Sequence, residues 1–110
     1  MGVVGVSRFD VLLARLDPTQ GSEMRKTRPC VVIAPDEMNR ALRTLVVAPM
    51  TTGGHAYPWR VTVSFRGVAG RIALDQMRTV DRERLVDHLG KLDDDTTERV
   101  LETLAEMFAP

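Results

Sequence analysis

A single cysteine rules out an intramolecular disulfide, and its place inside the apolar run Pro29-Cys-Val-Val-Ile-Ala34 marks Cys30 as a small buried hydrophobe rather than a nucleophile or ligand. Aromatic residues make up only 5% of the chain, too few for a broad base-stacking platform. No apolar run approaches the roughly 20 residues that a membrane-spanning helix needs. The opening Met1-Gly-Val-Val-Gly-Val6 meets Arg8 and Asp10 too soon to be a secretory signal, so a cytoplasmic protein with no membrane partner is expected. Net charge is missing as well, since fifteen basic side chains cancel fifteen acidic ones. That balance by itself argues against a nucleic-acid partner. The distribution argues the other way. From Arg8 to Arg84 there are thirteen Lys or Arg against eight Asp or Glu, and from Leu85 onward two against seven, so a basic face survives the neutral total.

What is present fits one small domain over residues 1–110. Hydrophobic residues at 44% and charged residues at 27% are globular proportions, and a chain of this size has little stability to spare, so that dimerisation would help it. Residues 11–16 form a strand candidate with Leu12, Ala14 and Leu16 on one face, stopped by the turn-initiating pair Asp17-Pro18. Residues 17–28 hold one apolar side chain and three cations and read as a long exposed loop, the kind that carries function. Residues 30–34 and 44–48 are continuously apolar, as central strands are, with a helical turn between them at 36–41. The turn-rich stretch 49–58 leads to an alternating strand at 60–65, and residues 66–70 turn the chain into one longer strand at 71–80. A single turn at 82–84 and a short strand at 85–89 follow. The last element is a helix with Asp95 and Glu98 as a capping box, an apolar stripe of Val100, Leu101, Leu104 and Phe108, and Glu98, Glu102 and Glu106 on the wet side. Together these predict a mainly β protein, a strongly curled sheet or partly open barrel with a C-terminal helix packed on it.

Four stretches in order, Asp17-Pro-Thr-Gln-Gly-Ser-Glu23, Arg28-Pro-Cys-Val-Val32, Pro49-Met-Thr-Thr52 and Leu74-Asp-Gln-Met-Arg-Thr79, are together similar to the MazF/PemK family of toxin-antitoxin modules. Tyr57-Pro58 and the Arg84 to Gly90 segment add to the resemblance, which runs from about residue 8 to the end. It implies an SH3-like barrel of five to seven strands, a homodimer, and a sequence-selective endoribonuclease that arrests growth until an antitoxin binds it. The antitoxin would be an acidic, disordered segment that folds onto the basic groove and masks it.

Attack by the RNA's own 2′-hydroxyl needs a proton acceptor, a proton donor for the leaving 5′-oxygen and fixed positive or hydrogen-bonding groups on the phosphorane, but no metal or other cofactor. Arg28 can face phosphate with a bidentate fork and Thr51 can donate a hydroxyl hydrogen bond. In the MazF branch the matching Arg and Thr are the catalytic pair, so the resemblance places catalysis on Arg28 and Thr51. A guanidinium is a poor base, which assigns Arg28 phosphate binding before proton transfer. Glu23, the nearest loop carboxylate, can accept a proton or orient Arg28. The Kid/PemK branch resembles a His-Arg-Asp triad whose positions here hold Ser22, Ala73 and Asp75; only the aspartate remains, and the MazF-type pair is preferred. For single-stranded RNA the candidate contacts are Thr52, Tyr57, Trp59 and Arg71, with Asp75 and Gln76 interrupting an apolar strand as functional residues often do. Two other classes compete, a CcdB-like gyrase poison and a non-catalytic SH3-like RNA- or protein-binding module.

Overall fold

The computed structural model describes residues 5–16, 21, 24 and 26–110, which form seven strands and two helices. The strands are β1 (Asp10–Arg15), β2 (Thr27–Val32), β3 (Thr44–Thr51), β4 (Arg60–Phe65), β5 (Val68–Ala73), β6 (Arg78–Asp81) and β7 (Leu85–Lys91). Helix α1 (Asp36–Ala41) is short, and α2 (Asp94–Met107) follows the last strand. All strand pairs are antiparallel, in the order β4-β5-β3-β2-β1-β7, with β6 also pairing β3.

Period-two alternation sends each central strand's side chains into two different cores. On one face Leu12, Ala14, Cys30, Val32, Leu45, Val47, Val80 and Leu85 fill the inside of the curl made by β6-β3-β2-β1-β7. On the other, Val11, Val31, Ala48, Ile72 and Leu74 pack with Val61 and Val63 of β4 and Val100 of α2. Burial on both faces is why these strands read as unbroken apolar runs. The mainly β, curled-sheet expectation with a terminal helix holds.

Four boundaries differ from expectation, each for a physical reason. Strand β3 continues through Pro49 to Thr51, because Pro49 needs no N–H at its place opposite Cys30. The turn expected at 66–70 shrinks to Arg66-Gly67, both at positive φ in the pattern of a two-residue hairpin, so β5 starts at Val68. The single strand expected at 71–80 is interrupted. Met50 pairs Ile72 but Val47 pairs Arg78, so three residues of β3 match six of the facing chain, the surplus taken up by a 3-10 turn at Leu74–Gln76. The helix is capped by Asp93, whose side chain accepts from Thr96 N at 2.7 Å, while Asp95 lies inside the first turn and pairs with Arg99. In its apolar stripe Val100 is buried, whereas Leu101 and Phe108 are exposed.

One charged group is buried in the frame. Asp10 accepts from Ser7 N at 2.8 Å, contacts His88 Nε2 at 3.0 Å and pairs with Lys91 Nζ at 3.0 Å, which ties β1 to β7. Burial alone would raise its pKa; the Ser7 N–H, His88 and Lys91 outweigh burial and hold the carboxyl below its ordinary 3.8. A depressed folded-state pKa contributes stability that is present above 3.8 and lost as pH falls through the lower folded value. Asp10→Asn is therefore expected to lower the urea midpoint at neutral pH and to converge on the parent well below 3.8, as urea titrations at the two pH values would show. An unchanged gap between the two proteins would refute this linkage.

Candidate active site

The ladder between β2 and β3 ends on the pair Cys30-Pro49, and Arg28 and Thr51 stand two residues beyond it on their strands, on the same face as that pair. On the other side of β3, Thr51 pairs Arg71, and Arg71 pairs Thr62 of β4. Facing residues of an antiparallel pair project to the same side. Arg28, Thr51 and Arg71 thus form one row across three adjacent strands. Arg28 Nη1 reaches Met50 O at 3.4 Å, and Arg71 Nη1 donates to Gly54 O at 3.2 Å. Thr51 Oγ1 accepts from Gly53 N at 3.3 Å and lies 3.4 Å from Gly53 O, a local turn that orients the hydroxyl through a long, weak contact.

The strands approach closely here. A Cβ on Gly70 would stand 2.7 Å from Thr51 O, so only glycine lets β5 lie against the end of β3. Two hollows flank the row. One, of about 360 Å³, is lined by Thr52, Thr62, Ser64, Gly70, Arg71 and Arg99. The other, of about 220 Å³, is apolar, with Pro29, Met50, Phe65, Val68 and Leu89 beside Thr51 and Thr52.

The remaining expected residues lie apart from this row. Glu23 lies outside the described residues, as does Ser22. Asp75 gives both carboxylate oxygens to Arg60, at 3.0 Å from Nε and 2.9 Å from Nη2, a bidentate pair that lowers the Asp75 pKa and raises that of Arg60. Arg60 pairs with Ala73 across the β4-β5 ladder, so the facing strand supplies a guanidinium for the aspartate at the position where the Kid-type pattern has its own arginine. Tyr57 and Trp59 stack on each other, centroids 5.1 Å apart and planes 8° from parallel, with His55 tilted against Tyr57 at 4.9 Å and the Arg60 guanidinium 5.2 Å from the Tyr57 centroid. This half-exposed ladder stands on the loop that leaves Thr52. Gln76 turns inward: its Oε1 accepts from Met24 N at 3.2 Å and from Arg78 Nη2 at 3.3 Å.

Two residues at this site were not singled out from sequence, Gly70 and Arg78, although Arg78 stands within the Leu74 to Thr79 motif. The buried Cys30 thiol is pushed up to about 12 by desolvation, against the opposing pull of Arg78 and Arg28, so it does no nucleophilic work. Among the described residues no three His, Cys, Asp or Glu side chains are grouped to hold a metal ion, and no helix is long and apolar enough to cross a membrane.

Comparison with known proteins places this curled sheet, with its arginine-threonine row at one end, in a class of small toxins. The profile of the PemK-like, MazF-like toxins of type II toxin-antitoxin systems matches residues 7–108, and the chain belongs to that family. It is 36% identical over 105 residues to endoribonuclease EndoA of Bacillus subtilis, covering 90% of each chain. It is 40% identical over 81 residues to endoribonuclease PemK of Escherichia coli, a match over 69% of this chain and 61% of that one. The crystal structure of MazF from Deinococcus radiodurans superposes with a TM-score of 0.81 at 25% identity, over 93% of this chain and 94% of that one.

Proposed function

We propose that this toxin is an endoribonuclease that cuts single-stranded RNA at short, selected sequences, without a metal, by attack of the 2′-hydroxyl on the adjacent phosphorus. The 2′-oxygen to phosphorus bond forms as the phosphorus to 5′-oxygen bond breaks, leaving a 2′,3′-cyclic phosphate and a 5′-hydroxyl end. The row of Arg28, Thr51 and Arg71 carries the reading. It offers two guanidiniums and a hydroxyl on one face of the sheet, the donor set that a phosphorane with two charged oxygens calls for. Arg28 binds the phosphate and stabilises the transition state, and the Thr51 hydroxyl, held by the Gly53 N–H, turns its proton to a non-bridging oxygen. Glu23 takes the 2′-hydroxyl proton, and the departing 5′-oxygen takes one from solvent water. Thr52 and Arg71 hold the flanking nucleotides, and the Tyr57-Trp59 stack offers its exposed edge to splayed bases. The Asp75 carboxylate acts through Arg60, and Gln76 through its bonds to Met24 and Arg78.

In this reading the protein works in the cytoplasm as a homodimer and is silenced by an antitoxin whose acidic, disordered segment covers the arginines. Family membership in a two-component toxin-antitoxin system supports that partner, and the exposed Leu101 of α2 and Phe108 at its C-cap give apolar surface for association. The test is direct: purified protein and a long single-stranded RNA in EDTA should give discrete fragments ending in 2′,3′-cyclic phosphate. RNA that stays intact, or fragments ending in 3′-hydroxyl, would overturn the proposed reaction.

A further inference from the structure

The row described above does not include every cation at this end of the barrel. Arg78 begins β6 opposite Val47, and its guanidinium is only partly exposed. It folds back toward the 3-10 turn, donating from Nε to Gln76 O at 3.4 Å and from Nη2 to Gln76 Oε1 at 3.3 Å. No carboxylate among the described residues pairs with it. Half-buried, it bears on the same Cys30 thiol as Arg28 does, from the opposite strand edge of β3. Period two puts Arg78, Val47, Cys30 and Arg28 on the same face of the sheet, so the two guanidiniums reach that face from the β6 and β2 sides of β3. The Gln76 amide supplies the geometry: one carbonyl oxygen accepts from both Arg78 and Met24 N, so the same side chain that aims the guanidinium also holds the Met24 backbone.

We infer that Arg78 is a further phosphate ligand of the RNA site, facing the substrate backbone beside Arg28, and that Gln76 is the positioning residue that aims it. The inference rests on the ribonuclease reading, and binding measurements separate the two. An oligoribonucleotide with 2′-O-methyl groups cannot be cut but still presents its phosphates. With it, Arg78→Gln should weaken binding and make the slope of log K against log salt shallower by about 0.7, the value for one released counterion on a single strand. Arg78→Lys should restore most of the slope, as a residue that merely packs would not. Replacing backbone phosphates one at a time by uncharged methylphosphonate should cost the parent protein affinity at one position to which Arg78→Gln is indifferent. On a cleavable RNA the same variant should lose roughly tenfold or more in kcat/KM, the scale of one charge-assisted hydrogen bond. Gln76→Leu should add little to Arg78→Gln in a double-mutant cycle.

A parent slope retained in Arg78→Gln, with the variant still folded by circular dichroism, would overturn the inference while leaving the ribonuclease intact. A parent protein that binds the methylated strand with the expected slope yet never cuts RNA would instead sink the catalytic reading and keep the ligand. Additive effects of Gln76→Leu and Arg78→Gln would remove the positioning role.

Discussion

Arg28→Ala is expected to lower kcat for RNA cleavage by roughly 10²–10³-fold, the loss seen when one preorganised oxyanion donor is removed from an active site. The guanidinium stands near the start of β2, half-buried, with Nη1 3.4 Å from Met50 O, a contact that restrains one arm of the fork. A group fixed before the reaction pays no reorganisation as charge builds on the phosphorane, and its effect therefore falls on kcat more than on KM. Arg28→Lys should recover only part of the loss, because an ammonium supplies charge without the planar pair of donors. Steady-state kinetics on a short RNA with one cleavage site, alongside thermal unfolding of each variant, checks the claim. An alanine variant that keeps the parent's kcat would remove Arg28 from the chemistry and leave it as a solvated charge at a strand end.

The row to which Arg28 belongs shows how far sequence reading reached. Residues 30–34 and 44–48 were legible as central strands because both of their faces are buried, and a continuous apolar run has no other economical explanation. The Arg-Pro and Thr-Thr pairs could be placed near their ends. Whether the two ends met depended on pairing partner and register, which no local pattern encodes; the Cys30-Pro49 pair decides it. The stretch 71–80 failed for a related reason. Its apolar half and polar half read as one strand, and the three-residue step at Leu74–Gln76 exists because the chain must stay on one edge of β3 while turning Gln76 toward Met24. Asp75 was legible as an anomaly, an acid interrupting an apolar run, but its partner Arg60 comes from another strand, and only the Arg60-Ala73 register brings them together. Tyr57 and Trp59 were legible as candidate base-stacking aromatics. Their two-residue spacing gave no hint that the rings pack on each other and so present one composite edge instead of two separate stacking sites.

Gly70 was the least legible residue of all, since a glycine between Ala69 and Arg71 looks like ordinary turn punctuation, yet Gly70→Ala is expected to cost roughly 10²-fold in cleavage, the scale of a misplacement of about 1 Å in a reacting group. The backbone at Gly70 is not in the left-handed region, so alanine is allowed there by φ and the conflict is purely steric. The new Cβ would lie 2.7 Å from Thr51 O, 3.5 Å from Thr51 C and 3.8 Å from Thr52 Cα, and all three are main-chain atoms that cannot swing away as a side-chain tip would. Either β5 shifts off the end of β3, opening the Met50-Ile72 and Thr51-Arg71 pairs, or the Thr51 peptide rotates and carries its hydroxyl out of line with Arg28. Overpacking of this kind costs about 1–3 kcal/mol of stability, which a domain of ordinary stability survives. The activity loss should therefore appear in a folded protein, separable from unfolding by assaying well below the Tm. Full activity at a lowered Tm would mean that the strand, and not Thr51, gives way; full activity at an unchanged Tm would mean that the close approach has no part in setting the hydroxyl.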